Sequence, residues 1–333
     1  MAIIPSMGRG GAERVMARLT QEWCRAHDVT LVTFSPDSSQ DSYATPARRI
    51  FLGLPARSTL IGKLINLLMR AARLRKLIRQ EKPDATIAFL EGASFAAILT
   101  GQPVVVSQRI NPAALDSFSQ WLLEKLFPRH NVVAVVTNSM ELEKALRSRM
   151  HSSGRVTTIP NPVDPEEIAL RSAEPRNSPP AKGFILAVGR LEAQKGFMDL
   201  LVAFANSAAR HHRPLVILGE GKERPALLER ARNLGIAHDV LLPGALENPF
   251  PYYRDCGFFV LSSRLEGFPN ALLEAMACGV SCIATDCPYG PREMLLDPSS
   301  EPAGLLVPVG DIQALQEAID RLHEDVDLRE VLA

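Results

Sequence analysis

The most constraining feature of this chain is a series of short apolar runs that offer no polar face. Val132-Val133-Ala134-Val135-Val136 is the clearest of them. A strand made from such a run must be covered on both sides, which points to a parallel sheet between layers of helix. Similar runs recur along the whole chain, separated by stretches of helical periodicity, and this alternation is that of α/β folds. In the first half, strands are expected at 29–34, 84–90, 103–107, 132–137 and 156–159, with a shorter one at 49–52 and a short apolar stretch at 2–5. In the second half they are expected at 184–188, 214–218, 240–242, 258–261, 281–284 and 305–307. Helices are expected near 10–26, 60–80, 115–127, 139–150, 197–211, 222–234, 269–278 and 311–325.

A length of 333 residues favours two domains over one. The boundary is marked by Asn161-Pro162-Val163-Asp164-Pro165, then by Glu174-Pro175-Arg176-Asn177-Ser178-Pro179-Pro180, which holds no plausible strand or helix interior. The expected organisation is a domain at 1–165, a linker at 166–182 and a second domain at 183–333. Two open α/β domains of this kind would face each other across a cleft lined by the carboxyl ends of their strands, where ligands bind.

Composition narrows the function classes. Apolar residues are 46% and charged residues 22%, a soluble globular balance. No uncharged apolar run approaches membrane-spanning length, and no charged leader with an apolar core opens the chain, so a cytoplasmic protein is expected. The five cysteines, at 24, 256, 278, 282 and 287, have no CxxC spacing and read as free thiols. Net charge is zero, yet residues 1–165 carry 21 Lys and Arg against 13 acids, a net +8, and residues 166–333 carry 16 against 24, a net −8. One half could therefore meet an anionic partner while the whole stays neutral.

Chemistry-bearing residues cluster after the strands of the second half. Gly189-Arg190-Leu191-Glu192-Ala193-Gln194-Lys195-Gly196 places two cations and glycines at a strand's carboxyl edge, an arrangement suited to a diphosphate. The alternative is an ordinary basic surface loop. Ser262-Ser263-Arg264-Leu265-Glu266-Gly267-Phe268-Pro269-Asn270 then leads into a helix that carries Glu274. Glu266 in the loop and Glu274 on the helix are acceptor-only carboxylates, matched to ribose and sugar hydroxyls and mismatched to phosphate. A buried capping role for Glu274 is the alternative, and an unpaired buried carboxylate is costly. Gly244 to Pro249 follows another strand and could lie along a base or ribose. Cys287-Pro288-Tyr289-Gly290-Pro291-Arg292-Glu293 forms a stiff loop leading into a short helix, readable as a second ligand loop or as a tight surface turn with Arg292 and Glu293 solvated. In the first half, Gly8-Arg9-Gly10-Gly11-Ala12-Glu13-Arg14 would aim backbone N–H groups and a helix N-terminus at a phosphate or developing anion. It is neither GxGxxG nor Walker A, and no GK[ST] is present, which weighs against a nucleotide hydrolase.

In this order the segments resemble the retaining glycosyltransferases of family 4, whose GT-B fold consists of two facing Rossmann-like domains. The resemblance rests on GGAER at 10–14, GR and KG at 189–196, the two glutamates of SSRLEGFPNALLEAMACG, NPFPYYRDCGFFVL at 248–261 and DCPYGPREML at 286–295. It covers nearly the whole chain. It implies that Arg190 and Lys195 hold a donor diphosphate, that Glu274 binds ribose hydroxyls and that Glu266 contacts the transferred sugar. It also implies that Gly10 and Gly11 approach the donor, with Gly189, Gly267, Phe268 and Asn270 lining its site. Arg190, Lys195 and Glu266 are the residues expected to carry catalysis. CPYGPRE resembles the branch that uses UDP-sugars, often N-acetylhexosamines, in bacterial surface-polysaccharide, lipopolysaccharide and lipid-linked oligosaccharide synthesis. Ser107-Gln108-Arg109-Ile110-Asn111-Pro112 is similar to a strand-end segment of that branch, which would bring Arg109 into the cleft, and Glu91 is a further cleft or acceptor-side candidate. Arg109 cannot act as a base at neutral pH. Enzymes of this class are described as using the leaving diphosphate to help take the acceptor proton, so the two cations would matter most as leaving-group charge grows. No DxD pair stands ready for a metal, so metal-independent transfer without a cofactor is expected.

Residues 57–82 combine Leu60, Leu64, Leu67, Leu68, Leu74 and Leu77 with eight cations and a single acid, Glu81. This composition suits peripheral contact with an anionic membrane, on the cytoplasmic face of the inner membrane, where lipid-linked acceptors reside. The alternative is that the leucines pack on the sheet and the basic face is wet. Nucleic-acid binding is not expected, since the charge is local and aromatics are only 6%. Both ends look short beside the family, and the helices that cross back onto the first domain look shortened or missing. Competing readings are a sugar-nucleotide-binding homologue impaired in transfer and a two-domain nucleotide-sugar epimerase, the latter short of acid/base histidines.

Overall fold

In the computed structural model, residues 1–8, 10–35, 43–54, 59–150, 155–176, 180–296 and 301–333 are described. They form two units, Met1–Pro162 and Val163–Ala333.

The first unit is built on strands β1 Ala2–Ile4, β2 Thr30–Thr33, β3 Arg48–Phe51, β4 Ile87–Phe89, β5 Val104–Gln108, β6 Val132–Thr137 and β7 Val156–Thr158. They make one parallel sheet in the order β3-β2-β1-β4-β5-β6-β7. Its helices are α1 Gly11–Trp23, α2 Leu60–Glu81, α3 Glu91–Leu99, α4 Ser117–Leu126 and α5 Met140–Met150. Capping follows the sequence: Thr59 accepts from the Gly62 N–H ahead of α2, and Asp116 accepts from the Ser119 N–H ahead of α4. Helix α3 has no sequence expectation behind it. Its residues 93 to 98 are all buried, so it lacks the polar face that would have given it a helical period.

The second unit opens with helix α6 Pro165–Ser172 and continues through β8 Ile185–Val188, α7 Phe197–Asn206, β9 Leu215–Leu218, α8 Arg224–Asn233 and β10 Val240–Gly244. Then come α9 Phe250–Asp255, β11 Phe258–Leu261, α10 Asn270–Ala277, β12 Cys282–Thr285, α11 Pro291–Leu295, β13 Gly304–Val307, α12 Ile312–Glu324 and α13 Val326–Val331. The sheet is again parallel, in the order β10-β9-β8-β11-β12-β13. Strand period sorts the core: Ile185, Ala187, Phe258 and Val260 join the layer of α7 and α12, while Phe184, Leu186, Phe259 and Leu261 join Tyr252, Tyr253 and Leu272 on the other face.

Two expectations are corrected. The segment 166–182, read as linker, begins with α6, which Asp164 caps through the Glu167 N–H and which buries Ile168 in the second unit's core; residues 177–179 of that segment lie outside the described residues. Proline at the first helical position, which looked like a breaker, starts this helix. The helix expected over 197–211 ends at Asn206, where Ser207 turns the chain and caps a separate 3-10 turn at Ala208–His211.

In each sheet, the strand order reverses at one place. The chain moves outward from β1 to β3 before returning to β4, and outward from β8 to β10 before returning to β11. Loops leaving β1 and β4, or β8 and β11, therefore diverge at the carboxyl edge and leave room for a ligand.

Candidate functional site

The loops that flank the second unit's reversal carry the cations and carboxylates picked out from the sequence. After β8 the chain runs through Gly189 and Arg190 to a short 3-10 turn, Ala193–Lys195; after β11 it runs through Ser262, Ser263 and Glu266 into α10. The two loops are laced together. Ser262 Oγ donates to the Lys195 carbonyl at 2.8 Å, Gln194 Nε2 to the Leu265 carbonyl at 2.7 Å, and the Arg264 N–H to the Gln194 carbonyl at 2.8 Å. Gly196 sits at φ +65°, and a Cβ there would lie 2.0 Å from the Ser262 carbonyl oxygen, so only glycine permits this approach.

Within this frame, Lys195 Nζ donates to Glu266 Oε1 at 2.6 Å, and Ser263 Oγ donates to the same oxygen at 2.6 Å. Glu266 and Ser263 are buried, and the lysine side chain is 17% exposed. Ser263 is fixed in turn by Thr285, whose hydroxyl donates to its carbonyl. Arg190 lies further out, with Nη1 3.2 Å from Glu192 Oε1 and its side chain 58% exposed. Glu274, on α10, is buried and accepts from the Tyr253 hydroxyl at 3.4 Å. Helix α10 begins at Asn270, directly after Gly267, Phe268 and Pro269, so all of these residues belong to one loop-and-helix start. Two cations, Arg190 and Lys195, and one buried carboxylate, Glu266, thus stand in the loops at one strand edge, with a second buried carboxylate, Glu274, on the helix that follows. Such a site can hold an anion and a polyhydroxylated group of the same ligand.

The neighbouring strand closes the floor. Gly189 N–H donates to the Leu218 carbonyl and Leu191 N–H to the Glu220 carbonyl, each at 2.9 Å. A Cβ at Gly219, φ +148°, would lie 1.8 Å from the Gly189 oxygen, and one at Gly221 would lie 2.4 Å from the Leu191 oxygen. The loop after β12 also joins the site. Tyr289 and Gly290 both take positive φ, and a Cβ on Gly290 would lie 2.6 Å from Pro269 Cδ. Residues 287 to 290 thus pack on the loop that carries Glu266. Burial and the Glu266 charge push the nearby Cys287 thiol up to about 12, leaving it protonated and unreactive. Arg292, by contrast, turns outward: its side chain is 55% exposed and pairs with Asp286, Nε to Oδ1 at 3.1 Å. Glu293 occupies the first turn of α11.

In the first unit, Gly10 caps α1 and Gly11 begins it. Glu13 folds back so that its carboxylate oxygen lies 2.2 Å from where a Gly10 Cβ would be, placing negative charge at that helix N-terminus. Across the reversal, Gly92 approaches the Pro5 ring of the β1 loop, 3.8 Å from where its Cβ would be. Glu91 starts α3, and its Oε2 is a buried atom with no hydrogen-bond partner among the described residues. Its pKa is raised by burial, opposed by its own backbone N–H and aided by the charge of Asp116. Arg109 follows β5 and is buried. It lies over the Phe89 ring at 4.8 Å and donates to Ser107 Oγ at 3.2 Å and to Asn161 Oδ1. Burial lowers its pKa to about 10, so it stays cationic at neutral pH.

Sequence reasoning missed Ser263, Tyr253, Asn161 and the glycine pair at 219 and 221. The last had a signal, Gly-Glu-Gly directly behind an apolar strand. The others are ordinary polar residues whose partners lie 3, 21 and 52 positions away.

Two family models match the chain, Glycosyltransferase Family 4 over residues 9–167 and Glycosyl transferases group 1 over residues 171–333. Among curated relatives is the N-acetylgalactosamine-N,N'-diacetylbacillosaminyl-diphospho-undecaprenol 4-alpha-N-acetylgalactosaminyltransferase of Campylobacter jejuni, 28% identical over 98% of this chain and 90% of its own length. Among solved structures, HepE of Anabaena in complex with UDP and glucose superposes with a TM-score of 0.77 at 18% identity, covering 100% of this chain and 92% of that one. WaaG, a glycosyltransferase involved in lipopolysaccharide biosynthesis, superposes with a TM-score of 0.75 at 16% identity, covering 100% and 93%. With two parallel-sheet Rossmann-like domains and both family models matched in order, the chain belongs to glycosyltransferase family 4 and has the GT-B fold.

Proposed function

We propose that this glycosyltransferase moves a hexose or N-acetylhexosamine from a UDP-sugar, with retention of configuration, to a lipid-linked saccharide or surface-polysaccharide acceptor. The observation that carries the donor half is the pair of loops at the second unit's strand reversal, with Arg190 and Lys195 after β8, Glu266 after β11 in contact with Lys195, and the buried Glu274 on the helix that follows. The cations take the diphosphate, Glu274 the ribose hydroxyls and Glu266 the sugar. In transfer the bond from the anomeric carbon to the diphosphate oxygen breaks and the acceptor oxygen bonds that carbon on the same face. The acceptor proton passes to the departing phosphate oxygen, whose growing charge Lys195 and Arg190 stabilise. Transfer needs no metal on this reading, because the one D-x-D, Asp325-Val326-Asp327, opens helix α13, where Asp325 caps the Leu328 N–H, and does not follow a strand.

The acceptor half is supported by the curated relative, whose name places its acceptor on diphospho-undecaprenol, and by helix α2. Leu67 and Leu74 of the expected leucine stripe are buried, whereas Leu60, Leu64 and Leu68 are exposed together with Ile61, Ile65 and Met69. Arg73, Arg75, Lys76 and Arg79 are exposed further along the same helix, and Trp121 of α4 is exposed as well. Residues 57 and 58 of the basic segment lie outside the described residues. Apolar residues next to cations fit the surface of an anionic bilayer. No helix among the described residues is long and apolar enough to cross one.

The test is release of UDP from a panel of UDP-sugars by purified protein, with and without undecaprenyl-diphosphate-linked saccharides in anionic vesicles, and with EDTA present or absent. Lipid-dependent, EDTA-insensitive release from one donor is expected, falling at least about 100-fold in Lys195→Ala and Glu274→Ala. Release that survives both substitutions would overturn the site assignment. Binding of UDP-sugar with no transfer to any lipid acceptor would favour an impaired homologue.

A further inference from the structure

Lys195 is the cation that the proposed donor diphosphate needs, yet it is already engaged. Its Nζ lies 2.6 Å from Glu266 Oε1, in a pair whose side chains are 17% and 7% exposed. Glu266 is the carboxylate assigned to the sugar. We propose that Glu266 competes with the donor diphosphate for Lys195, and that this competition makes the site favour an intact nucleotide-sugar over the free nucleoside diphosphate. The inference rests on the reading that Lys195 takes the diphosphate.

The physical reasoning concerns what Glu266 keeps when the lysine leaves it. A buried carboxylate stripped of its cation is costly unless other donors replace it. Ser263 Oγ, on the same oxygen at 2.6 Å, is the one donor that stays. It cannot follow the lysine, because Ser263 is wholly buried and Thr285 holds its carbonyl. Oε2 of Glu266 receives no hydrogen bond among the described residues. An intact donor brings sugar hydroxyls, which can donate to that oxygen as the lysine swings to the phosphates. A free nucleoside diphosphate attracts the lysine equally and offers Glu266 nothing. The cost of parting the pair therefore falls on the product complex and not on the donor complex. The backbone is held while this happens: Gly196 at φ +65° and the Ser262 bond to the Lys195 carbonyl fix the lysine's main chain, so the exchange is a rotation of one side chain. The consequence is weaker retention of the spent nucleotide, and so faster release after each transfer.

The experiment is calorimetric titration of the full chain with UDP, GDP and ADP, and with the UDP-sugar that supports transfer. The variants are Glu266→Gln, Lys195→Ala, their combination, and Ser263→Ala. Glu266→Gln, nearly isosteric, is expected to bind UDP about tenfold more tightly, with the preference for UDP-sugar over UDP falling by at least the same factor. The gain should vanish in the Lys195→Ala background, because there is then no cation to free. Ser263→Ala should act in the opposite direction, weakening UDP more than UDP-sugar, and provides a second reading if Glu266→Gln does not fold. If Lys195→Ala weakens UDP while Glu266→Gln leaves it unchanged or weaker, the competition is refuted and the donor site stands. If no nucleoside diphosphate binds the wild-type chain, or Lys195→Ala binds UDP as well as wild type does, the donor-site reading fails and the inference with it.

Discussion

Glu266 and Glu91 occupy similar places in the two units. Each follows the strand at which the chain returns to the sheet, β11 for Glu266 and β4 for Glu91, at the edge where ligands of such folds bind. Their surroundings are opposite. Glu266 receives Lys195 and Ser263 at 2.6 Å each, in loops laced by further hydrogen bonds and by close glycine contacts. Glu91 leaves a buried oxygen without a partner among the described residues, as do Gln108 and Asn138 at the ends of the next two strands. At the second unit's edge one buried acceptor, Glu223 Oε2 in the loop after β9, is likewise without a partner among the described residues, against three in the first. The first unit's edge holds oxygen acceptors that receive no donor among the described residues, and a buried acceptor without a donor costs stability. On the proposed function this is a division between a preorganised donor site and an acceptor edge completed by its substrate's hydroxyls.

The largest expected effect tests whether the second edge is locked. Gly219 has φ +148°, and a methyl group there would lie 1.8 Å from the Gly189 carbonyl oxygen, a backbone atom with no slack. Gly219→Ala should cost more than about 3 kcal/mol in thermal or denaturant unfolding and abolish binding of UDP. A variant that melts near the wild-type temperature and binds UDP normally would show that the edge is pliable, and the contrast with the first unit would be lost.

Legibility in the sequence follows the same division. Both sheets were readable because strands covered on two faces have no polar period and because helices with a wet face separate them. Arg190, Lys195 and Glu266 could be picked out as candidates because each charge stands in the loop after its strand, and Glu274 because it lies on the helix that the second loop enters. What holds them could not be read. The approach of Gly219 to Gly189 exists because β9 lies beside β8, a fact of strand order and not of local sequence. Asn161 and Arg109 meet across 52 positions. Helix α3 escaped notice because it is buried all round, and α6 because its first residue is a proline in a stretch rich in breakers.

Asp255 and Glu91 carry the comparison into pH dependence. Asp255, in the second unit, is flanked by Arg254, with Nε 2.9 Å from Oδ1 and Nη2 3.0 Å from Oδ2, by Lys182 at 3.3 Å and by Arg176 at 3.3 Å. Hydrogen bonding to Arg254 outweighs burial, and with Lys182 it lowers the Asp255 pKa from 3.8 to about 2. Its folded value lies below its unfolded one, so its stabilisation is complete above about pH 4 and lost as pH falls toward 2. Asp255→Asn should therefore cost about 2 kcal/mol at pH 7, with wild type and variant converging on acidification. A cost that stays constant with pH would mean that packing, and not charge, holds this corner.

Glu91 should behave with the opposite sign and a smaller size. Burial raises its pKa above 4.5, and the charge of Asp116 adds to that. A group whose folded value is raised stabilises the fold most when protonated. Its contribution is complete below the unfolded value and is lost as pH rises through the folded one. Glu91→Gln, neutral at every pH, should then be more stable than wild type by about 1 kcal/mol at pH 7.5 and show no gain near pH 4, read from melting curves at both values. Transfer to the lipid-linked acceptor should fall in the same variant, because the unsatisfied carboxylate is kept for the acceptor and not for the fold. Gain of stability with loss of transfer would identify the first unit's edge as a ligand edge waiting for its partner. Gain of stability with full transfer would make the orphaned oxygen a mere packing defect, and Glu91 would no longer stand as the counterpart of Glu266.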